Sequence, residues 1–128
     1  MSQFLSPAWL AELGAAAAAS GPLRAAAAGV RLTVRHVVTG GPDGDVEYRV
    51  RFADGRVEVD PGPGEADVEV HQDYETAAAV SAGRLTPAAA FGAGRMRIGG
   101  RPGLLAEHRD TLGRLGDVFE GVRSGTTY

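Results

Sequence analysis

The chain has 128 residues and a formal net charge of -3, with 44% apolar and 23% charged residues. This length and composition predict one soluble folded domain and argue against a disordered chain. The absence of cysteine excludes disulfide bonds and thiolate chemistry, and because all 13 basic residues are arginine, lysine-dependent chemistry is excluded too. The acidic balance gives no general attraction to nucleic acid or to an anionic membrane.

The first half of the chain is predicted to begin with a helix and to continue as strands. Ser6 can cap a helix that Pro7 starts and Gly21-Pro22 ends, and a short helical turn follows from residue 23 to 28. After it, apolar and charged side chains alternate, and Asp54-Gly55 is a type I′ hairpin signal. We therefore expect a β-meander with one dry face and one charged face. The predicted strands are 30–38, 46–52, 56–59 and 66–70.

The second half of the chain is predicted to be mainly helical. Asp73 is a natural N-cap for a helix that ends at Gly83, and Thr86-Pro87 starts a short helix that ends at Gly92. Residues 95–98 alternate as a fifth strand. From Pro102 onward, leucines and other apolar residues recur at helical spacing, which predicts one long amphipathic helix.

The residues that could carry catalysis or bind metal form no recognisable motif. The three histidines lack a local ligand spacing such as H-x-x-x-H, which predicts no metal site. The chain contains no G-x-S-x-G nucleophile motif and no G-x-G-x-x-G phosphate loop between a strand and a helix. These histidines are His36, His71 and His108.

Four arginines share the charged face of two neighbouring predicted strands. Glutamates on the same face balance their charge, so we interpret it as a solvated outer surface. No aromatic side chains are interleaved there for base stacking, so nucleic-acid binding is not expected. The arginines are Arg31, Arg35, Arg49 and Arg51, and the glutamates are Glu47, Glu58 and Glu69.

Three segments of the second half follow one another in a distinctive order: Val68–Tyr74 (VEVHQDY), Ala82–Phe91 (AGRLTPAAAF) and Gly94–Gly100 (GRMRIGG). With the opening Phe4–Leu10 and the final Thr126–Tyr128, they resemble the sterol carrier protein 2 (SCP2) family, especially its small single-domain bacterial members. The segments are similar to that family's strand-to-helix junction, its proline-containing A-F segment and its glycine-flanked strand and turn. Gly100 stands where the family usually has Asp, so the turn departs from the pattern. The resemblance covers essentially the whole chain and implies a single SCP2-like domain over residues 1–128.

The resemblance implies an α+β fold in which helices cover one side of a five-stranded, mainly antiparallel sheet, with an apolar cavity between the two layers. It also implies non-catalytic, non-covalent binding of a sterol, fatty acyl chain or other lipid, without a cofactor. Burial of an acyl chain contributes about 0.8 kcal/mol per CH₂, so a modest cavity can bind without specific chemistry. The candidate ligand-binding residues are Val34, Val50, Phe52, Tyr74, Phe91, Met96, Ile98, Leu105, Leu112, Leu115 and Phe119.

The expected partner is thus a small hydrophobic ligand, with at most transient membrane contact. The N-terminal residues lack the positive charge of a signal peptide, and no run of about 20 apolar residues is present, so a cytoplasmic location is expected.

Two other functions stay open at this stage. The first is a small cavity enzyme resembling the cone-shaped cyclases and isomerases, which work through a buried Asp–His or Tyr–Asp pair. No Asp lies on the dry face of any predicted strand, but a buried His36 or His71 contacting a carboxylate inside a pocket would support it. The second is an interaction or regulatory module, a partner of an enzyme, with a filled cavity. A packed interior without an opening beside the last helix would favour that module.

Overall fold

Helices and strands follow one another along the chain in the computed structural model, which describes residues 2–128. The helices are α1 (Pro7–Ala19), α2 (Gly21–Ala26), α3 (Tyr74–Ser81), α4 (Pro87–Gly92), α5 (Gly103–Glu107) and α6 (Arg109–Arg123). The strands are β1 (Ser2–Gln3), β2 (Arg31–Gly41), β3 (Gly44–Ala53), β4 (Arg56–Pro61), β5 (Val68–Asp73), β6 (Met96–Gly100) and β7 (Thr126–Thr127).

Five of the strands form one mixed sheet in the order β4–β3–β2–β5–β6. Three neighbouring pairs are antiparallel and the β2–β5 pair is parallel. The α+β class and the five-stranded, mainly antiparallel sheet are therefore confirmed. The hairpin predicted at Asp54-Gly55 is present, and both residues have positive φ angles (49° and 87°), as a type I′ turn requires.

The predicted four-stranded meander is wrong, because the chain crosses the sheet after β4 and adds β5 to the free edge of β2. Asp67 binds the chain to β2 where β5 is about to begin. Its Oδ2 accepts a hydrogen bond from the backbone N–H of Thr33 (2.9 Å), and its own N–H donates to the Thr33 carbonyl (2.9 Å). Alternation identifies a strand and its dry face, but it does not indicate which open edge of a hairpin the next strand joins.

Side-chain caps begin the predicted helices α1, α3 and α4. Ser6, Asp73 and Thr86 accept hydrogen bonds from the backbone N–H groups three residues later. The long C-terminal helix is interrupted, however, since His108 (φ -107°, ψ 31°) separates α5 from α6. The break sets α6 against α2, where the buried Thr111 hydroxyl donates to the Ala26 carbonyl (2.8 Å). Leu105 and Leu112 lie on either side of the break and are seven residues apart, which is the spacing of two turns of a continuous helix. The apolar pattern therefore did not reveal the break at one residue between them.

The two ends of the described chain pair with each other, which the sequence pattern did not predict. Strands β1 and β7 form a parallel pair of two residues each, too short to show a periodicity. Trp9 reinforces it, since its buried indole N–H donates to Thr126 Oγ1 (3.0 Å). The final helix is thereby tied to the start of α1.

The helices pack on one face of the sheet and the opposite face carries ion pairs. Helix α1 packs onto β4, while α3 contacts β2 and β5, and α4 contacts β6. On the opposite face Arg35 pairs with Glu69 (2.6 Å), and Arg51 pairs with both Glu58 and Asp60. None of the helices described between residues 2 and 128 has the length and apolarity needed to cross a lipid bilayer.

Candidate functional site

The helix-covered face of the sheet presents its side chains in rows that run across the strands. One row combines aromatic, imidazole and aliphatic groups, and the row beside it holds an amide between aliphatic groups. The first row is Tyr48, His36, Val70 and Ile98, and the second is Val46, Val38, Gln72 and Met96. The parallel pairing of β2 with β5 brings His36 and Gln72 to neighbouring strands.

A pocket of about 620 Å³ lies between these rows and the helices above them. Its volume is within the range of about 300–1,000 Å³ that is usual for small-molecule sites. The stripe on α6 that faces the sheet forms one wall, and α3, the loop after it and α4 form the other. The α6 residues are Leu112, Leu115, Gly116, Phe119, Glu120 and Arg123.

Small residues on the helices leave this space open. Ala77 on α3, Ala88 on α4 and Gly116 on α6 line the pocket, and short side chains there cannot reach the sheet. Ala90 is fully buried, so it packs closely instead. The alanine-rich second half of the chain thus contributes both to close packing and to an open volume.

Eight of the eleven side chains predicted to bind a ligand line the pocket, and three do not. The eight come from the sheet, from α4, from α5 and from α6. They are Val34, Phe91, Met96, Ile98, Leu105, Leu112, Leu115 and Phe119. A role of these residues in binding remains a prediction.

Val50, Phe52 and Tyr74 lie outside the pocket. Val50 and Phe52 are buried on β3 (0% and 2% exposed), next to the part of the sheet that α1 covers. Tyr74 lines a separate depression near the N-terminus, where its ring centroid is 5.7 Å from that of Phe4. Alternation correctly assigned Val50 and Phe52 to the dry face, but the position of the helices determines which part of that face stays uncovered.

Three polar residues of the pocket floor, His36, Tyr48 and Gln72, were absent from the predicted binding set. The signal for them was in the sequence. His36 lies in phase with Val34 and Val38, and Gln72 continues the alternation of Val68 and Val70. The phase of both residues places them on the inner face of the sheet.

The polar groups of the floor are uncharged at neutral pH. The His36 ring stacks on the Tyr48 ring, with centroids 4.7 Å apart and planes 7° from parallel. Burial lowers the pKa of His36 to about 4, and it raises the pKa of Tyr48, because a charged form would lose its hydration in the apolar surroundings. His36 Nδ1 and Gln72 Oε1 are buried without a hydrogen-bond partner in the structure.

Among residues 2–128, neither His36 nor His71 contacts a carboxylate inside the pocket. Within residues 2–128, no carboxylate pairs with His36. His71 approaches Glu69 (Nε2 to Oε2, 3.8 Å), but neither residue lines the pocket. Across that same described range, no group of three or more histidine, aspartate and glutamate side chains is placed to hold a metal ion.

Charged residues in the pocket wall are found at its rim, where α3 and α6 end. Arg123 Nε donates to the Ser81 carbonyl (2.8 Å), and its Nη1 lies 4.0 Å from Glu120 Oε1. The Glu120 side chain is 65% exposed, and Phe91 on the opposite wall is 55% exposed. The pocket therefore has a mainly apolar lining, and its charged residues lie at an opening beside the last helix.

Comparisons with known proteins agree with this architecture. A crystal structure of sterol carrier protein 2 has 22% identity and a TM-score of 0.77, over 91% of this chain and 97% of that one. A conserved protein from Thermus thermophilus, solved in solution, has 21% identity and a TM-score of 0.77, over 100% of this chain and 93% of that one. At these identities the similarity shows a common fold.

An enzyme also contains a related fold. A stereoselective inverting sec-alkylsulfatase from Pseudomonas sp. matches with 20% identity and a TM-score of 0.52, over 74% of this chain but only 14% of the enzyme. No curated protein matches the chain at a significant level. The model of the SCP-2 sterol transfer family matches residues 10–112, most of the 128 residues. The chain therefore belongs to the SCP-2 sterol transfer family.

Proposed function

We propose that the chain binds a hydrophobic ligand, a lipid or a sterol, non-covalently in the pocket between the sheet and α6, and that it carries or presents this ligand. The observation that carries the proposal is an apolar pocket of about 620 Å³ in a member of a sterol transfer family. The crystal structure that this chain matches over 97% of its length is named sterol carrier protein 2.

The composition of the pocket supports binding by burial of apolar surface. Its interior walls are aliphatic and aromatic, and its charged lining residues, Glu120 and Arg123, lie at the rim. Each CH₂ transferred from water contributes about 0.8 kcal/mol, or nearly fourfold in affinity. Affinity should therefore rise with chain length until the pocket is filled.

Among residues 2–128 no carboxylate pairs with His36, so this imidazole lacks the partner that would orient it as a general acid or base. The interaction module, the alternative function, requires a filled interior, and the open rim beside α6 argues against it. The cytoplasmic location and the lack of nucleic-acid binding expected from the sequence remain predictions.

Native mass spectrometry of the purified protein, followed by organic extraction, tests the proposal directly. We expect a reproducible mass adduct that extracts as a lipid, and uptake of a fluorescent acyl chain by the delipidated protein. A ligand-free mass combined with failure to take up acyl chains would refute the proposal and favour the interaction module.

A pair of variants on α4 tests where the ligand binds. Phe91→Asp places a charge at the rim, on a side chain exposed enough for the fold to tolerate it, and should weaken acyl-chain uptake at least tenfold. Ala89→Asp is the matched control, because Ala89 lies on the same helix, is exposed and does not line the pocket. Equal uptake by the two variants would show that the ligand binds elsewhere.

A further inference from the structure

One side chain, that of Phe4, lies between two apolar spaces of the molecule. Among residues 2–128, Phe4 alone lines both the pocket and the depression near the N-terminus, which has a volume of about 550 Å³. Phe4 is 5% exposed, so its ring is packed into the protein and is not free to turn into solvent. The proposed function uses only the first of these two spaces.

The inner face of the sheet continues from the pocket into the depression. The row of Val46, Val38, Gln72 and Met96 crosses four neighbouring strands on this face. Gln72 and Met96 line the pocket and Val46 lines the depression, whereas Val38 between them is 1% exposed. The two spaces are therefore consecutive parts of one face, and the packing over Val38 divides them.

The backbone and three neighbouring rings hold Phe4 in place. The Ser6 N–H donates to the Gln3 carbonyl (3.0 Å) and closes a turn that contains Phe4 and Leu5. Leu5 has a φ of 65°, a left-handed conformation that a residue other than glycine keeps only where its surroundings enforce it. Three ring centroids lie 4.9, 5.7 and 5.3 Å from that of Phe4, and they belong to Trp9, Tyr74 and Tyr128. The wall at Phe4 is thus a fixed part of the fold.

The depression suits the apolar end of a ligand and disfavours an anionic one. Leu5, Leu10, Val46 and Val59 are among its lining residues, and they can replace the water around methylene groups. In the described part of the chain, the charged side chains of this lining are all acidic, namely those of Asp43, Asp45 and Glu47. A fatty acid would therefore enter the depression with its methyl end, because its carboxylate would be repelled there.

We infer that Phe4 sets the maximum length of the ligand by closing the pocket against the depression. The inference rests on the proposed function, because it requires that the pocket binds an acyl chain. A chain that outgrows the pocket cannot pass the Phe4 ring, so its additional methylenes stay in water and contribute no affinity. Removal of the ring joins the two spaces and allows a longer chain to be buried.

The test is the dependence of affinity on chain length. Saturated fatty acids from decanoate to eicosanoate compete with a fluorescent acyl chain bound to the delipidated protein. Wild-type affinity should rise nearly fourfold per CH₂ and then stop rising within this series. In Phe4→Ala the rise should continue for about two further methylenes, so the ratio of eicosanoate to decanoate affinity should be roughly 15-fold higher than in the wild-type protein. Phe4→Leu, which keeps more of the packing, should raise the ratio by a smaller factor.

Two substitutions on α1, each added to Phe4→Ala, distinguish the joined volume from a loosened core. Ala11 is exposed and lines the depression, so Ala11→Trp should refill this space and return the ratio to its wild-type value. Ala8→Trp is the matched control, because Ala8 is exposed on the same helix, lines neither space and should leave the ratio raised. If Phe4→Ala does not fold, the same pair is added to Phe4→Leu.

An unchanged ratio in the folded Phe4 variants would overturn the inference, and so would a wild-type affinity that keeps rising up to eicosanoate. An equal effect of Ala11→Trp and Ala8→Trp on the ratio would overturn it as well. In each of these outcomes the wild-type protein still binds acyl chains, so the proposed function stands. If the wild-type protein binds no fatty acid of the series, the proposed function fails and the role of Phe4 fails with it.

Discussion

Gly116 allows the pocket to be partly filled without damage to the fold. It lies on α6 among the lining residues, and no heavy atom is within 4 Å of the position that its Cβ would occupy. We predict that Gly116→Leu weakens acyl-chain binding. The added side chain has four carbons and starts at the exposed edge of the pocket, so it should displace about two to four methylenes of the ligand. At about 0.8 kcal/mol per CH₂, affinity should fall roughly 15- to 200-fold.

Gly113→Leu is the matched control for this experiment. Gly113 is on the same helix, is exposed, has equally open space at its Cβ position and does not line the pocket. Both substitutions replace a helical glycine with a good helix former, so each should raise the free energy of unfolding by about 0.7 kcal/mol. Stability therefore rises in both variants, whereas binding falls in only one.

Fluorescence titration with an acyl chain measures binding, and urea denaturation measures the free energy of unfolding. Wild-type affinity in a folded Gly116→Leu protein would refute the assignment of the pocket as the binding site. An equal loss of affinity in both variants would show that a stiffer helix α6, rather than occupied volume, controls binding.

Two further predictions concern stability. Between pH 6.5 and pH 4 the unfolded His36 binds a proton that the folded one excludes, so the free energy of unfolding should fall by about 3 kcal/mol as the pH decreases across this window. Urea denaturation of His36→Gln should show a flatter dependence of the free energy of unfolding on pH. Tyr48, Glu120 and Arg123, which also line the pocket, are present in both proteins and cannot cause a difference between them. If the wild-type protein and His36→Gln lose the same free energy of unfolding across this window, the effect does not come from His36. Val50→Ala should lower the free energy of unfolding by about 2 kcal/mol, since Val50 is fully buried, yet leave acyl-chain affinity unchanged within twofold. A large loss of affinity in folded Val50→Ala would mean that the ligand reaches further along β3 than the pocket does.

Local patterns in the sequence determined most of the elements of the fold. The caps at Ser6, Asp73 and Thr86 start helices because each side chain needs only a backbone N–H three residues away. The turn at Asp54-Gly55 forms because these residue types tolerate positive φ. Period-two alternation also identified the dry face of the sheet through Val34, Val38 and Val70, but the prediction did not extend it to His36 and Gln72, which lie in the same phase.

Only the tertiary structure decided where that dry face remains uncovered. The parallel addition of β5 to β2, a long-range pairing, brings His36 and Gln72 onto neighbouring strands. The break at His108 and the packing of α1 on β4 then determine that the pocket opens over β2, β5 and β6 but not over Val50 and Phe52. A side-chain period depends on the backbone of one element alone, whereas a pocket is the volume that several elements leave between them. For that reason the sequence predicts which residues face inward, and the packing of distant elements determines which of them line the pocket.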